Sequence, residues 1–318
     1  MRCLLVGSGG MTPLPDRFLN VLLVQVKGSA YLFDCGEGTQ IAMKRWHAGF
    51  RKIALLAITH LHGDHVLGIP GFLMARANAG ATDVLTIVGP PGIRRLVQDV
   101  TAAVGFVPPY PTEYMQIDPE SWTPETAGRA RPREVYRDER VRLEAAPLEH
   151  AAPCLGYRLL EHDRPGKFDA QRARRLNIPQ GPLWRRLQDG HAVESEGRTI
   201  EPQEVVGPPR RGRVCAMITD TLPCPGAYRL LEDADIAFLE GMFMERDREA
   251  AGGRTHLTIG KAARMAAEQR VLRTVLTHLS PRYTTDDLDL LEGEARAINP
   301  AAEIGRDGTR YEVALRDR

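Results

Sequence analysis

The chain has 318 residues, 43% hydrophobic and 26% charged, which suits one large globular α/β domain rather than a disordered or fibrous chain. A formal net charge of +1 excludes nucleic-acid binding by bulk charge, so any such contact needs a local basic patch. Cys3, Cys35, Cys154, Cys215 and Cys224 form no C-x-x-C pair, which argues against a disulfide framework or thiolate zinc cluster and fits reduced thiols in the cytoplasm.

No apolar stretch approaches the roughly 20 residues of a membrane span. The start, Met1 to Gly7, is broken too soon by glycine to read as a secretory signal. Arg2 to Val6 is a short apolar run closed by Gly7-Ser8-Gly9-Gly10. Val21 to Val26 and Ala30 to Phe33 read as strands joined by the turn Lys27-Gly28-Ser29. Ile53 to Thr59 is almost continuously apolar, as a strand buried on both faces should be. Ile69 to Ala79 reads as a helix, Val84 to Val88 as a strand, and Pro91 as the first residue of the next helix. Ser121 to Glu139 is polar and loop-like, with a strand around Val135. Val141 to Ala145 and Leu155 to Leu160 are strands flanking His150. Arg164 to Gly212 is rich in Pro, Gly and Arg and lacks a long apolar face, so it reads as an arm inserted in the domain. Val214 to Ile218, Ile236 to Leu239 and Thr274 to Leu276 are strands; Leu257 to Gln269 and Asp287 to Ile298 are helices. Strands in two groups with interspersed helices predict two packed sheets covered by helices. A doubly wound Rossmann sheet competes, but Gly7-Ser8-Gly9-Gly10-Met11 is not its G-x-G-x-x-G fingerprint.

The chemistry is concentrated in His60-Leu61-His62-Gly63-Asp64-His65, four candidate ligands within six residues after a buried strand. Imidazole and carboxylate suit zinc. His60 and His62, two apart in extended chain, share a side. Gly63 then allows a turn that presents Asp64 and His65 to a second position. Zinc takes about four ligands, so more must come from elsewhere. His150, Asp220 and His278 each follow an apolar run, the pattern of a ligand at a strand end.

This H-x-H-x-D-H run with later His, Asp and His resembles the metallo-β-lactamase superfamily. Phe33 to Gln40, Ile69 to Leu73, Thr219-Asp220-Thr221 and Leu276 to Tyr283 narrow the resemblance to ribonuclease Z in its short form. The resemblance implies a single metallo-β-lactamase αββα sandwich over residues 1–318, with a basic arm (exosite) inserted at 164–212. It implies two Zn2+ per subunit: His60, His62 and His150 on one, Asp64, His65 and His278 on the other, and Asp220 bridging. It places Asp34 behind the ligand loop, where a carboxylate can orient a histidine. It implies an endoribonuclease that removes the 3′ trailer of precursor tRNA, working as a homodimer.

The residues suggest how. Two metals can clamp hydroxide and a phosphoryl oxygen together, leaving a tRNA 3′-hydroxyl. Asp64 is expected to bind metal and to take the water's proton. His256, before a helix, is the candidate acid for the leaving oxygen; Leu257 stands where the family usually has serine, which should weaken that helix cap. Glu240 would fix the His256 tautomer. Arg282 is either a phosphate contact or a surface ion pair.

Arg164, Lys167, Arg172, Arg174, Arg175, Arg185 and Arg186 are opposed locally by Asp169 alone, a net +6 in a chain of total +1. Such segregation suits phosphate contacts on tRNA, with Trp184 stacking on a base; a solvated basic loop is the alternative. The readings left open are a hydrolase of small phosphodiesters, sulfate esters or thioesters, and a non-catalytic RNA-binding module.

Overall fold

Alternation along the first strand sets the layering. In β1 (Arg2–Gly7), Cys3 and Leu5 join one buried cluster while Leu4 and Val6 join another. Period-two geometry sends alternate side chains to opposite faces, so a strand apolar on both faces lies between two layers. The computed structural model describes residues 1–122, 132–249 and 255–316. Residues 123–131 of the expected loop Ser121 to Glu139 lie outside the described residues.

The chain divides into two compact units, one of Met1–Leu160 with Val214–Ala314, the other centred on Glu161–Arg213. In the larger unit, β1 is followed by β2 (Val21–Val26), β3 (Ser29–Phe33), helix α1 (Thr39–Arg45), β4 (Ile53–Ala57) and the one-turn α2 (Gly63–Val66). Then come α3 (Ile69–Asn78), β5 (Leu85–Gly89), α4 (Ile93–Ala103), β6 (Thr112–Gln116), β7 (Arg133–Arg137), β8 (Val141–Leu148) and β9 (Cys154–Glu161). The smaller unit holds α5 (Ala170–Arg175), α6 (Pro182–Gln188) and the hairpin β10 (Val193–Ser195) and β11 (Arg198–Ile200). The chain returns as β12 (Val214–Ile218), α7 (Pro225–Leu231), β13 (Ile236–Glu240) and α8 (Ile259–Glu268). It ends with β14 (Thr274–Thr277), α9 (Leu288–Ile298), β15 (Ala302–Ile304) and β16 (Arg310–Glu312).

Among the described residues, one sheet has the order β16-β1-β2-β3-β4-β5-β6 and a second the order β15-β14-β13-β12-β9-β8-β7. Each has an antiparallel part and a parallel part: β3 to β6 in the first, β12 to β15 in the second. One apolar layer takes Leu5, Leu22 and Phe33 from the first sheet with Tyr157, Met217 and Phe238 from the second. The outer face of the first sheet packs on α1, α3 and α4 through Met43, Phe72 and Val97. The outer face of the second packs on α7, α8 and α9 through Leu230, Ala263 and Leu291. This is the expected sandwich of two sheets flanked by helices; each fully buried Leu or Phe contributes about 1.5–3 kcal/mol.

Local details differ from expectation. The helix expected at Pro91 begins at Ile93, because Gly92 at φ 100° turns the chain first. The helix expected from Leu257 begins at Ile259. Thr258, not residue 257, caps it: its hydroxyl accepts the Lys261 N–H at 3.3 Å, so leucine at 257 leaves the cap intact.

The segment read as an arm without an apolar face has its own small core. Ala173, Ile178, Leu187, Val193, Ile200 and Val205 are buried together, with Phe168, Leu183 and Trp184 packed against them. Its apolar residues come from short helices and a hairpin rather than one periodic stretch, which hides them in the sequence.

Candidate metal centre

Six strands deliver their polar side chains at one kind of place, the residue at or just after the C-terminal end. Asp34 follows β3, His60 follows β4, His150 follows β8, Asp220 follows β12, Glu240 ends β13 and His278 follows β14. Parallel neighbours bring such ends to one edge of a sheet. Asp34, Asp220 and His278 take left-handed backbone angles, φ 60°, 47° and 55°. Each such residue costs about 1–3 kcal/mol, a strain that persists where surrounding bonds over-determine it. The seven expected ligands all converge here.

The seven fall into two groups of donor atoms, and a third, overlapping group is formed by Asp220, His256 and His278. In the first, His62 Nδ1 lies 3.0 Å from His60 Nε2 and 3.3 Å from His150 Nε2. Asp220 Oδ2 stands 3.8 Å from His60 Nε2 and 4.0 Å from His150 Nε2. In the second, Asp64 Oδ2 lies 3.4 Å from both His65 Nε2 and His278 Nε2. Asp220 Oδ1 stands 3.4 Å from His65 Nε2 and 3.2 Å from His278 Nε2. Tetrahedral bonds of 2.0–2.2 Å imply ligand separations of roughly 3.3–3.6 Å. The spacings bracket that value, and Asp220 offers one oxygen to each group. His65 Nε2 is buried without a hydrogen-bond partner. A buried lone pair facing two carboxylates is costly, and a cation at that point satisfies it.

The electrostatics agree. Burial pushes His60 and His150 below the usual histidine value, so both favour the neutral, ligating form. Burial also opposes charge on His278, yet Asp220 and Asp64 lift it to about 10. For His65 burial is likewise outweighed, by Asp34 and Asp220. Burial would raise Asp64 and Asp220; contacts with His278 and His65 hold both far below the carboxylate range. The pocket thus concentrates negative charge and draws cations to the second group.

Behind the donors stands a layer of orienting groups. Asp34 Oδ2 meets His65 Nδ1 at 2.9 Å, and Asp34 Oδ1 accepts the Thr59 N–H at 2.8 Å. Thr59 Oγ1 lies 3.1 Å from His60 Nδ1, and Thr255 Oγ1 lies 3.0 Å from His150 Nδ1. Fixing the far nitrogen of a ligand histidine selects its tautomer. Glu240 is fully buried, accepts the Thr221 N–H at 2.8 Å and pairs with His256 Nδ1. His256, expected in a polar loop, is itself buried and stacks on His278 at 5.7 Å. Arg282 pairs with Asp247 at 3.1 Å over the Phe243 ring.

Thr59, Thr255, Asp247 and the Met11 N–H, which donates to Asp64 Oδ2 at 2.8 Å, escaped sequence reading. Thr59 precedes a ligand in sequence and was within reach. A backbone donor such as Met11 carries no residue signal at all.

In the smaller unit, Lys167, Arg172, Arg174, Arg175, Arg185 and Arg186 are all exposed. Arg185 pairs with Asp189 at 3.2 Å. Counted over Glu161–Arg213, eleven basic residues face eight acidic ones, a net +3 rather than the +6 of the shorter window. Trp184 is not a free stacking platform: its indole N–H donates to the Ile178 carbonyl at 3.0 Å and its ring packs 5.0 Å from Phe168.

Known proteins resemble the chain in three ways. A family model described as anti-Pycsar protein Apyc1 matches residues 1–92, under a third of the chain. Ribonuclease Z of Treponema denticola is 35% identical over 318 residues, 100% of this chain and 99% of the relative. Ribonuclease Z of Salinibacter ruber is 37% identical over 98% of this chain and 94% of its own length. In structure, human tRNase Z, short form, superposes with a TM-score of 0.72 at 21% identity, covering 99% of this chain and 100% of that one. The metallo-β-lactamase fold protein YhfI of Bacillus subtilis gives 0.66 at 16% identity over 98% of each chain. The fold is therefore the metallo-β-lactamase sandwich, and identity above 30% along the full length decides the family: the chain belongs to the ribonuclease Z family.

Proposed function

We propose that the chain is a zinc-dependent endoribonuclease that cuts the 3′ trailer from precursor tRNA and leaves a 3′-hydroxyl on the tRNA. The observation that carries this is full-length similarity to ribonuclease Z, which includes the Glu161–Arg213 unit as well as the metal edge. His60, His62 and His150 hold one zinc, Asp64, His65 and His278 hold the second, and Asp220 spans both. The donor spacings support this assignment. Bound there, the metals supply a water acidified toward neutral pH and Lewis acidity for the charge that builds on the phosphoryl oxygens.

The chain's own residues do the rest. Asp64 orients the nucleophilic water and accepts its proton. Asp34 fixes the His65 ring. Glu240 holds His256 Nδ1, which keeps Nε2 free to give a proton to the departing ribose 3′-oxygen; such an acid is worth about 10²–10⁴-fold. Arg282 is 43% exposed beside Asp247 and adds a contact to a neighbouring phosphate. Lys167, Arg172, Arg174, Arg175, Arg185 and Arg186 grip tRNA phosphates away from the cut, a role that needs exposed charge and no base readout.

The protein works as a homodimer in the cytoplasm. Ile41, Leu67 and Met74, exposed on and beside α1 and α3, are apolar surface suited to a second copy, and the five cysteines are free buried thiols. No helix among the described residues is long and apolar enough to cross a membrane. The test is to incubate precursor tRNA with protein and zinc and map both ends of the cut. A single cut at the trailer junction with a tRNA 3′-hydroxyl is expected. Hydrolysis of a small phosphodiester with precursor tRNA left intact would replace this reading by that of a small-molecule phosphodiesterase.

A further inference from the structure

Asp34 supports both donor groups, His65 directly and His60 through Thr59, but the remaining supports come from different parts of the chain. His60 is steadied by Thr59 and His150 by Thr255. Asp64 and His278 instead face the loop between β1 and β2. The Met11 N–H donates to Asp64 Oδ2 at 2.8 Å, and Met11 reaches that position through a left-handed φ of 66°. Gly10 packs so closely that a Cβ there would lie 2.7 Å from His278 Cε1. The Gly10 N–H donates to the Leu279 carbonyl at 3.0 Å, and the Leu279 N–H donates back to Ser8 at 2.9 Å. This loop therefore sets one oxygen of Asp64 and walls the ring of His278.

The loop is itself held from the far end of the chain. Asp307 lies between β15 and β16. Its Oδ1 accepts the Ser8 N–H at 2.8 Å and the Ser8 hydroxyl at 2.7 Å. Its Oδ2 accepts the Phe18 N–H at 2.6 Å. One carboxylate thus closes both ends of the loop with three charge-assisted bonds, stronger than neutral ones. The Gly9 N–H to Phe18 carbonyl bond at 2.9 Å lies just inside that clamp.

From this geometry we infer that Asp307 is a positioning residue for the second metal position, that of Asp64, His65 and His278, and not for the first. It touches no reacting atom. It acts through Ser8 and Phe18 on the Met11 N–H and the Gly10 wall. Loss of such a supporting group typically lowers metal affinity about 10–100-fold. The first position, steadied by Thr59 and Thr255, keeps its affinity.

The inference rests on the two-metal reading above. Its test is zinc titration of the wild type and of Asp307→Asn, by calorimetry and by competition with a chelating dye. In the variant the first equivalent is expected to bind as in wild type and the second about 10–100-fold more weakly. Turnover of a chromogenic phosphodiester should fall at limiting zinc and recover at saturating zinc with KM unchanged. A merely structural lesion would not be rescued by metal. Ser8→Ala removes one of the three donors and gives a milder version should Asp307→Asn fold poorly. It should weaken the second equivalent a few-fold, on the order of one lost hydrogen bond. Equal weakening of both equivalents, or unchanged binding of both, overturns the inference. A wild type that takes up only one equivalent instead overturns the two-metal reading.

Discussion

The metal edge and the Glu161–Arg213 unit are built on opposite principles. At the metal edge Asp34, His60, His65, Asp220, Glu240, His256 and His278 are buried, and most are fixed by a second polar partner. In the other unit the basic residues of interest are exposed around a small apolar core. A buried network acts as a unit, so losing one member strands the others and effects are large and non-additive. Exposed charges act through a screened field, so each contributes little and they add.

Among substitutions, the largest effects belong at the metal edge. Asp220→Ala should abolish cleavage and leave metal content well below the wild-type value, because it removes an oxygen from both donor groups and leaves five histidines facing one another. Elemental analysis alongside a cleavage assay checks it. His65→Ala should behave similarly but spare the first equivalent. His256→Ala comes next: metal content stays as in wild type while kcat falls about 10²–10⁴-fold. Glu240→Gln should lower kcat in the same direction by less. A normal rate for His256→Ala would remove it from the mechanism.

Effects in the other unit should be smaller and substrate-dependent. The Glu161 N–H donates to the Arg213 carbonyl at 2.9 Å, and β9 pairs antiparallel with β12. Residues 162–212, which hold the whole of that small core, can therefore be replaced by a short glycine-containing turn between β9 and β12. That excision should raise KM for precursor tRNA and leave hydrolysis of a small diester unchanged. Equal loss on both substrates would make the unit structural rather than tRNA-gripping. Smallest of all, Arg175→Gln should weaken tRNA binding a few-fold and reduce the slope of log affinity against log salt by roughly 1. A loss from Arg175→Gln that matches His256→Ala would break the contrast between the two regions.

How much of this was legible in the sequence follows the same division. The strand-end ligands were readable because β4 and β12 are uninterrupted apolar runs and β14 has an apolar centre, each followed within three residues by a His or an Asp. Fold layering was readable for the same reason. The smaller unit's core was not, since Ala173, Leu187 and Ile200 sit on three different short elements with no shared period. Its charge was overstated because the window ended before Asp189, Glu194, Glu196, Glu201 and Glu204. The Glu240 partner of His256 was legible, but its burial was not: His256 lies in a loop, and the Phe243 and His278 rings that lie against it come from distant segments that leave no local mark. Asp307 was missed because its acceptor role is toward two backbone N–H groups and one serine.

If two metals held by one set of seven side chains are what cut precursor tRNA at its trailer, activity must follow metal content. The direct measurement is to strip the protein of metal, add zinc in fractions of an equivalent, and follow precursor tRNA cleavage with the cut site mapped. The rate should climb to a plateau at about two equivalents per chain, with the cut at the trailer junction throughout. Full-rate cleavage by the stripped protein in the presence of chelator would contradict it.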